Sequence, residues 1–288
     1  PSDQYAAEMQ VRFHGFDPEQ SIVEAIPREG EYHLRTEDII ALIESHQDEL
    51  ALVLLGGVNY YTGQFFDIPA ITAAAHKAGA IAGFDLAHAA GNVPLHLHDW
   101  NVDFACWCTY KYLNSGPGGV SGIFIHERHA HNDQLPRFAG WWGNEEATRF
   151  QMKKGFHPQP GAAGWQQSNA QILPMAAHRA ALELFDAAGM DALRAKSEQL
   201  SAYLLTLLQD MEGQPFTVIT PEDPAARGCQ VSLLTDNGGK ALFDAITANG
   251  VIADWREPNV IRVAPVPMYN TFEDVWNFVN LLKEAYRR

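Results

Sequence analysis

Short, continuous apolar runs recur along the first half of the chain, and segments with helical spacing lie between them. A continuous apolar run is typical of a strand buried on both faces of a parallel sheet, and we assign Leu50–Leu55 to such a strand. Strands that alternate with helices favour right-handed crossovers between parallel neighbours. The strands predicted in this half are Leu50–Leu55, Ile81–Asp85, Phe104–Tyr110 and Ser121–His126.

Capping residues mark the helices of the same half. Asp3 is placed as the N-cap of an amphipathic helix, and Gly79 as the stop of a later one. The helices predicted are Gln4–Gly15, one that begins at Thr36, and Ile68–Ala78. Ser21–Ile26 reads as a short β-rich run.

The second half has a different pattern. A long irregular segment, Arg128–Gly164, comes first, and a loop of this length inside a compact domain is usually functional. Long helices and short strands then alternate, which predicts a small α+β domain. The helices are Asn169–Ala188, Asp191–Met211, Lys240–Asn249 and Phe272–Tyr286, and the strands are Thr217–Ile219, Gln230–Leu234, Val251–Ala253 and Val260–Val263.

Composition narrows the class of protein. The 288 residues are 47% hydrophobic and 19% charged, as expected for a folded chain with a substantial core. A net charge of −15 argues against nucleic acid and anionic membrane surfaces as partners. The three cysteines show no metal-type spacing, so we expect reduced, buried thiols in a cytoplasmic protein and no metal site.

Two residues at strand ends carry candidate chemistry. Lys111 follows one apolar run and precedes the glycine-rich turn at 116–119, and Asp85 ends the preceding run. The carboxyl ends of parallel strands are where such sheets bind ligands. A pyridoxal-type cofactor needs an amine for a Schiff base and a carboxylate that holds its pyridine nitrogen protonated. The pair therefore suggests a pyridoxal phosphate (PLP) site, although a surface lysine and a capping aspartate remain the simpler reading of each residue alone.

Longer segments add a resemblance to a known family. The segments that carry it are FDLAHAAGN, HDWNVDFACWCTYKYLN, GGVSGIFIHERHAH, GWWGNEEATRFQM, WQQSNAQIL and IRVAPVPMYNTFEDV. Together they cover nearly the whole chain. It resembles the kynureninase family, which consists of PLP enzymes of aminotransferase class V with fold type I.

The resemblance implies a fold and a setting. The expected fold is a three-layer α/β/α PLP-binding large domain over residues 1–180, followed by a smaller C-terminal α+β domain over 181–288. The family's Pro-Ser/Thr-Asp motif, here at the start of the chain, lies well inside the large domain, so we expect that domain to be incomplete at its N-terminus. The family also implies a homodimer with shared active sites, and a role in tryptophan catabolism and NAD biosynthesis.

Site residues follow by matching the family's motifs. Lys111, Asp85 and Tyr110 would be catalytic, as Schiff-base lysine, partner of the pyridine nitrogen and acid/base group. Substrate would contact Arg262 through its α-carboxylate, and Ser168, Asn169 and Trp142 near its aromatic end. The residues expected to bind the cofactor are Pro1, Ser2, Asp3, Gly56, Asp85, His88, Tyr110, Lys111, Trp141 and Asn169.

The activity implied is hydrolytic cleavage of the Cβ–Cγ bond of L-kynurenine to anthranilate and L-alanine. The resemblance leaves 3-hydroxykynurenine, which would give 3-hydroxyanthranilate, open as a second substrate. Two alternatives remain at this point: another class V PLP enzyme such as a cysteine desulfurase, or an inactive truncated fragment. A desulfurase needs a nucleophilic cysteine in a mobile loop, whereas Cys106, Cys108 and Cys229 fall in predicted strands.

Overall fold

A computed structural model describes residues 2–236 and 238–287 of the chain. Its first half contains α1 to α4 and β1 to β4; helices and strands alternate from α3 to β2, and β3 and β4 then follow with no helix between them. Their bounds are α1 Ser2–Phe13, α2 Pro18–Ser21, α3 Thr36–Ser45, β1 Leu52–Gly56, α4 Ile68–Lys77, β2 Ile81–Asp85, β3 Phe104–Cys108 and β4 Ser121–Ile125.

The first sheet has the strand order β1-β2-β3-β4. The first three strands are parallel, as predicted, whereas β4 runs antiparallel to β3. The connection after β3, residues 109–120, contains no helix, whereas a parallel crossover usually runs through one.

One face of this sheet is packed and the other is open. Phe84 and Ala82 of β2 are fully buried, whereas Leu52 and Leu54 of β1 are 43% and 40% exposed. The expectation that this strand is buried on both faces is therefore wrong for the chain as described. The packed face lies against α3 and α4, through Ile39, Ile43, Ile68 and Ile71.

The second half forms an antiparallel sheet in the order β5-β6-β8-β7, packed on helices. Leu204 and Leu208 of α6, Leu233 of β6 and Val279 of α8 meet in its core. The bounds are α5 Ile172–Ala188, α6 Met190–Gln209, β5 Phe216–Val218, β6 Val231–Thr235, α7 Gly239–Ala248, β7 Asp254–Arg256, β8 Val260–Val263 and α8 Phe272–Tyr286.

Several predicted boundaries are wrong. Ser21–Ile26 forms no strand, because Asp17 caps the short helix α2 and the chain then runs on as coil. The strand expected at Val251–Ala253 lies three residues later, at β7. Asp3 lies inside α1 rather than capping it, and α5 begins at Ile172, after Asn169.

The loop after β1 joins the two sheets. The Tyr60 carbonyl accepts hydrogen bonds from Gln230 Nε2 at 3.0 Å and from Arg262 Nη1 at 2.5 Å. Ser232 Oγ donates to the Tyr61 carbonyl at 2.6 Å. Residues of the second sheet are thereby fixed beside the carboxyl end of β1, which is the edge that carries the candidate site. The domain boundary after residue 180 falls within α5 and stays a prediction.

No helix within residues 2–236 and 238–287 combines the length and apolar character that a membrane crossing requires.

Candidate active site

The carboxyl ends of the three parallel strands bring a row of residues together. Gly56, Asp85 and Cys106 are register partners across β1, β2 and β3. A Cβ on Gly56 would meet only ordinary contacts, the closest at 3.6 Å from the Val58 carbonyl oxygen. Gly56 therefore has no packing need for glycine among the described residues, and its proposed role is a backbone contact to the cofactor.

Lys111 and His88 are in direct contact. Lys111 Nζ donates to His88 Nε2 at 3.0 Å. Burial first, and then the charges of the Lys111 ammonium and of the Arg262 and Arg256 guanidiniums, together lower the pKa of His88 to about 3. His88 is therefore neutral at physiological pH and can accept this hydrogen bond. Its proton then lies on Nδ1, which is buried and has no hydrogen-bond partner within the described part of the chain.

Two carboxylates, those of Asp85 and Asp3, lie near Lys111. Partial burial, and then the adjacent Asp85 carboxylate, raise the pKa of Asp3, while the Lys111 ammonium lowers it. Asp3 is exposed to solvent, so its proximity to Asp85 and Lys111 matters more than its burial. Because both Asp85 and Lys111 act on Asp3, all three side chains lie at one edge of the sheet. Asp85 Oδ1 accepts from the Ala87 N–H at 2.7 Å, which fixes its orientation.

Tyr110 lies next to Lys111, beyond the end of β3, and is 52% exposed. The neighbouring Cys108 side chain is the main cause that raises the pKa of Tyr110, with the Asp85 charge adding to it. Its hydroxyl therefore keeps its proton at neutral pH and can donate a hydrogen bond. Ser2 lies beside Asp3 at the start of α1, whereas Pro1 is outside the described residues.

Arg262 comes to this edge from β8 of the second sheet. Its Nε and Nη2 contact Asp254 Oδ2 at 2.8 and 2.6 Å, and its Nη1 donates to the Tyr60 carbonyl. Arg262 is only 10% exposed, and its charge reaches His88. The structure thus brings Arg262 close to the Lys111 group. The Arg262 guanidinium is already held in place by the Asp254 carboxylate.

Four further predicted residues form a separate group, with Trp141 and Trp142 in the long irregular loop and Ser168 and Asn169 between that loop and α5. The Trp142 N–H lies 3.5 Å from the Gln167 carbonyl, which brings Trp141 and Trp142 beside Ser168 and Asn169. Within the described residues, no hydrogen bond joins this group to Lys111 or Arg262. Trp141 is 51% exposed, and Ser168 and Asn169 are exposed.

This loop group is organised around Arg149. Its guanidinium lies 4.8 Å from the centroid of the Trp142 ring and donates to the Trp142 carbonyl at 2.9 Å. Trp141 Nε1 donates to the Arg149 carbonyl at 2.9 Å. Both indoles are therefore held by the loop itself, and their contact with a ligand stays a proposal.

The residues fit a pyridoxal cofactor at its reactive end. Lys111 offers an amine, Asp85 with Asp3 offers a carboxylate pair, and His88 offers a buried Nδ1–H that lacks a protein partner. This is the donor set that the aldehyde, the pyridine nitrogen and the ring require.

The cysteines differ from expectation. Cys106 is exposed and Cys108 half-buried, because their strand borders the open face of the first sheet; only Cys229 is buried. Cys229 lies just before β6, not in a strand. All three are free thiols. Across residues 2–236 and 238–287, no three His, Cys, Asp or Glu side chains cluster in a way that could hold a metal ion.

Sequence reasoning missed Asp254, the Tyr60 carbonyl and Tyr112. The Tyr112 ring packs edge-on against His88 at 6.0 Å between centroids. Asp254 pairs with Arg262 because the two are register partners in the antiparallel strands β7 and β8. A correct placement of β7 on the sequence would have found this pair, since residues opposite each other share one face of a sheet.

Comparison with known proteins decides the family. The chain is 55% identical to the kynureninase of Flavobacterium johnsoniae, over 99% of this chain and 68% of that one. The chain belongs to the kynureninase family. It is also 52% identical to the kynureninase of Nematostella vectensis, of which it covers 64%. The family model of the kynureninase C-terminal domain matches residues 193–282.

Solved structures confirm the expected fold for this kynureninase-family chain. It resembles a cysteine desulfurase from Thermococcus onnurineus with a TM-score of 0.76 and 17% identity, over 98% of this chain and 69% of that one. An alanine–glyoxylate aminotransferase from Nostoc has a TM-score of 0.68 and 20% identity, over 88% and 66%. These are fold type I enzymes of class V, and at such identity the likeness speaks for the fold alone. The chain spans about two thirds of the length of its kynureninase relatives.

Proposed function

We propose that this chain hydrolyses L-kynurenine to anthranilate and L-alanine with bound PLP. The observation that carries the proposal is the contact between Lys111 Nζ and His88 beside the Asp85–Asp3 pair, in a chain 55% identical to a kynureninase. The reaction consumes one water and breaks the Cβ–Cγ bond, and no redox step is needed.

The residues around Lys111 serve the cofactor end of the site. When bound, PLP supplies a pyridine ring that withdraws electrons from the substrate's α-carbon. Asp85 would hold the cofactor at its pyridine nitrogen, and Asp3 would support that carboxylate. His88 would offer its Nδ1–H to the ring. Lys111, held at 3.0 Å by neutral His88, would hold the cofactor through its aldehyde and would move the proton at the substrate's Cα.

The other residues serve the substrate. Arg262 binds the α-carboxylate through N–H groups of its planar fork. Tyr110 keeps its proton at neutral pH and would donate it to the oxygen of the carbonyl group to which water adds. Trp142, Ser168 and Asn169 lie close together and would contact the aromatic end of the substrate. Trp141 would contact the cofactor. Gly56, Ser2 and Asp3 would complete the cofactor site.

The test uses the purified chain with added PLP. We expect a visible absorption band from the bound cofactor and release of anthranilate from L-kynurenine, followed by its fluorescence. L-Cysteine under the same conditions should give no sulfide or persulfide, because the free thiols lie on β3 or are buried. Sulfide without anthranilate would replace this proposal with a desulfurase.

The finer predictions about setting extend this proposal. A homodimer with shared sites is supported by exposed aromatic side chains near the site, such as Tyr110 and Trp141. Light scattering of the purified chain tests it: a mass of twice 31.9 kDa is expected, and a monomer at micromolar concentration contradicts it. A cytoplasmic location and a role in tryptophan catabolism and NAD biosynthesis stay predictions.

A further inference from the structure

Asp254 occupies one side of the guanidinium that we assign to the substrate carboxylate. It lies opposite Arg262 in the register of β7 and β8, and both Nε and Nη2 of Arg262 reach its Oδ2, at 2.8 and 2.6 Å. Arg262 is nearly buried, whereas Asp254 is 46% exposed. The carboxylate therefore occupies the edge of the guanidinium that carries Nε and Nη2.

A second acceptor fixes the remaining freedom. Arg262 Nη1 donates to the Tyr60 carbonyl at 2.5 Å, and Gln230 Nε2 holds that carbonyl at 3.0 Å. An arginine has five N–H groups. Asp254 and the Tyr60 carbonyl take three of them, which leaves one on Nη1 and one on Nη2. Two N–H groups on adjacent nitrogens match the two oxygens of a carboxylate.

The local charge also favours an incoming anion. Arg256 Nε lies 3.2 Å from Asp254 Oδ2, on the face of β7 that carries Asp254. Two guanidiniums around one carboxylate leave a net positive charge. The charges of Arg262 and Arg256 both lower the pKa of His88, which contacts Lys111, so the positive charge lies near the Lys111 group.

We infer that Asp254 is a positioning residue: with the Tyr60 carbonyl it orients Arg262 so that the two remaining N–H groups receive the α-carboxylate of the amino-acid substrate. This inference rests on the proposed function. The alternative is that Asp254 merely competes with the substrate carboxylate for Arg262. A competitor would weaken carboxylate binding, so its removal would strengthen that binding.

The test compares two ligands in the PLP-loaded protein. One is L-kynurenine, and the other is its analogue with hydrogen in place of the α-carboxylate. Equilibrium affinities come from the shift of the cofactor's absorption band, and steady-state kinetics give kcat and KM. The variants are Asp254→Ala and the isosteric Asp254→Asn, with Asp244→Asn as control. Asp244 is an exposed carboxylate that pairs with Lys240 on α7, away from the site.

We expect both Asp254 variants to lose roughly tenfold or more of the wild-type preference for the carboxylate-bearing ligand, through KM more than kcat, since misplacing a binding group costs rates and affinities of this order. The control variant should keep the wild-type preference. All variants should keep the wild-type midpoint of thermal unfolding. Variants that keep or increase the preference overturn the inference alone. A wild-type protein that shows no preference overturns it together with the proposed function.

Discussion

The protonation state of His88 is determined by its neighbours. Burial and three nearby cations keep its imidazole neutral, and the neutral ring is what allows it to accept a hydrogen bond from a lysine ammonium. A lysine beside a protonated histidine would be repelled, so the site depends on this low pKa. The same feature makes a prediction for stability at acidic pH.

We expect the free energy of unfolding to fall less steeply on acidification when His88 is replaced by glutamine. The folded-state pKa of about 3 is below that of an unfolded histidine. The unfolded state therefore binds the proton first, and stability is lost as pH falls below about 6.5, by about 2 kcal/mol at pH 5. Urea unfolding of the cofactor-free chain at pH 7 and pH 5 measures the difference.

His98→Gln is the matched control, because its environment has the opposite effect. Glu127, and then Asp99, raise the pKa of His98, so its contribution is present at low pH and is lost as pH rises. Its replacement should leave the acid-side loss unchanged or larger. Equal pH profiles for wild type and His88→Gln would contradict the prediction.

At the scale of elements, buried side chains fix how strands and helices meet. Asp103, just before β3, is 3% exposed. It accepts hydrogen bonds from the Ala82 N–H on β2, from His76 on α4 and from His129 after β4, each at 2.8 Å. Burial alone would raise the pKa of Asp103, but these hydrogen bonds lower it below its ordinary value.

Asp103→Ala should cost about 3–5 kcal/mol of unfolding free energy, because it leaves buried donors without a partner. Urea unfolding at pH 7 measures this cost. Asp99→Asn, at a nearby carboxylate that is 79% exposed, should change the value by less than about 0.5 kcal/mol. Similar small effects for both changes would show that the Asp103 network adds little.

The open face of the first sheet makes a second prediction at this scale. Phe84→Ala should cost about 3–5 kcal/mol, since the side chain is fully buried between β2 and α4. Leu54→Ala, on the face where 40% of the residue is exposed, should cost less than about 1 kcal/mol. Equal costs in chemical unfolding of this chain would mean that both faces are packed in solution.

Sequence patterns predict well what local signals decide. α4 ends at Lys77, just before the predicted stop at Gly79, and Asp85 ends and Lys111 follows strands that the apolar runs predicted. The patterns fail where a contact distant in the sequence decides, as for the open face of β1 and the Asp254–Arg262 pair. The Asp254–Arg262 pair depends on the register of β7 and β8. The apolar run Val251–Ala253 did not reveal that register, because it placed the strand three residues too early.

At the scale of the whole molecule, the site is built by the two sheets. The first sheet supplies Asp85 and Lys111, and the second supplies Arg262, which is tied to the first through the Tyr60 carbonyl. A shift of one sheet against the other would therefore separate the group that holds the cofactor from the group that holds the substrate carboxylate. The roles of both groups depend on the amine of Lys111.

The most direct test of that claim is reduction of the PLP-loaded protein with borohydride, which fixes a Schiff base as a stable amine, followed by peptide mass spectrometry. We expect the cofactor's mass on the peptide that contains Lys111, and no modified peptide and no anthranilate release in Lys111→Ala. Lys77→Ala, at an exposed lysine paired with Glu44, should leave both unchanged. Attachment at another lysine, or an active Lys111→Ala variant, would contradict the account.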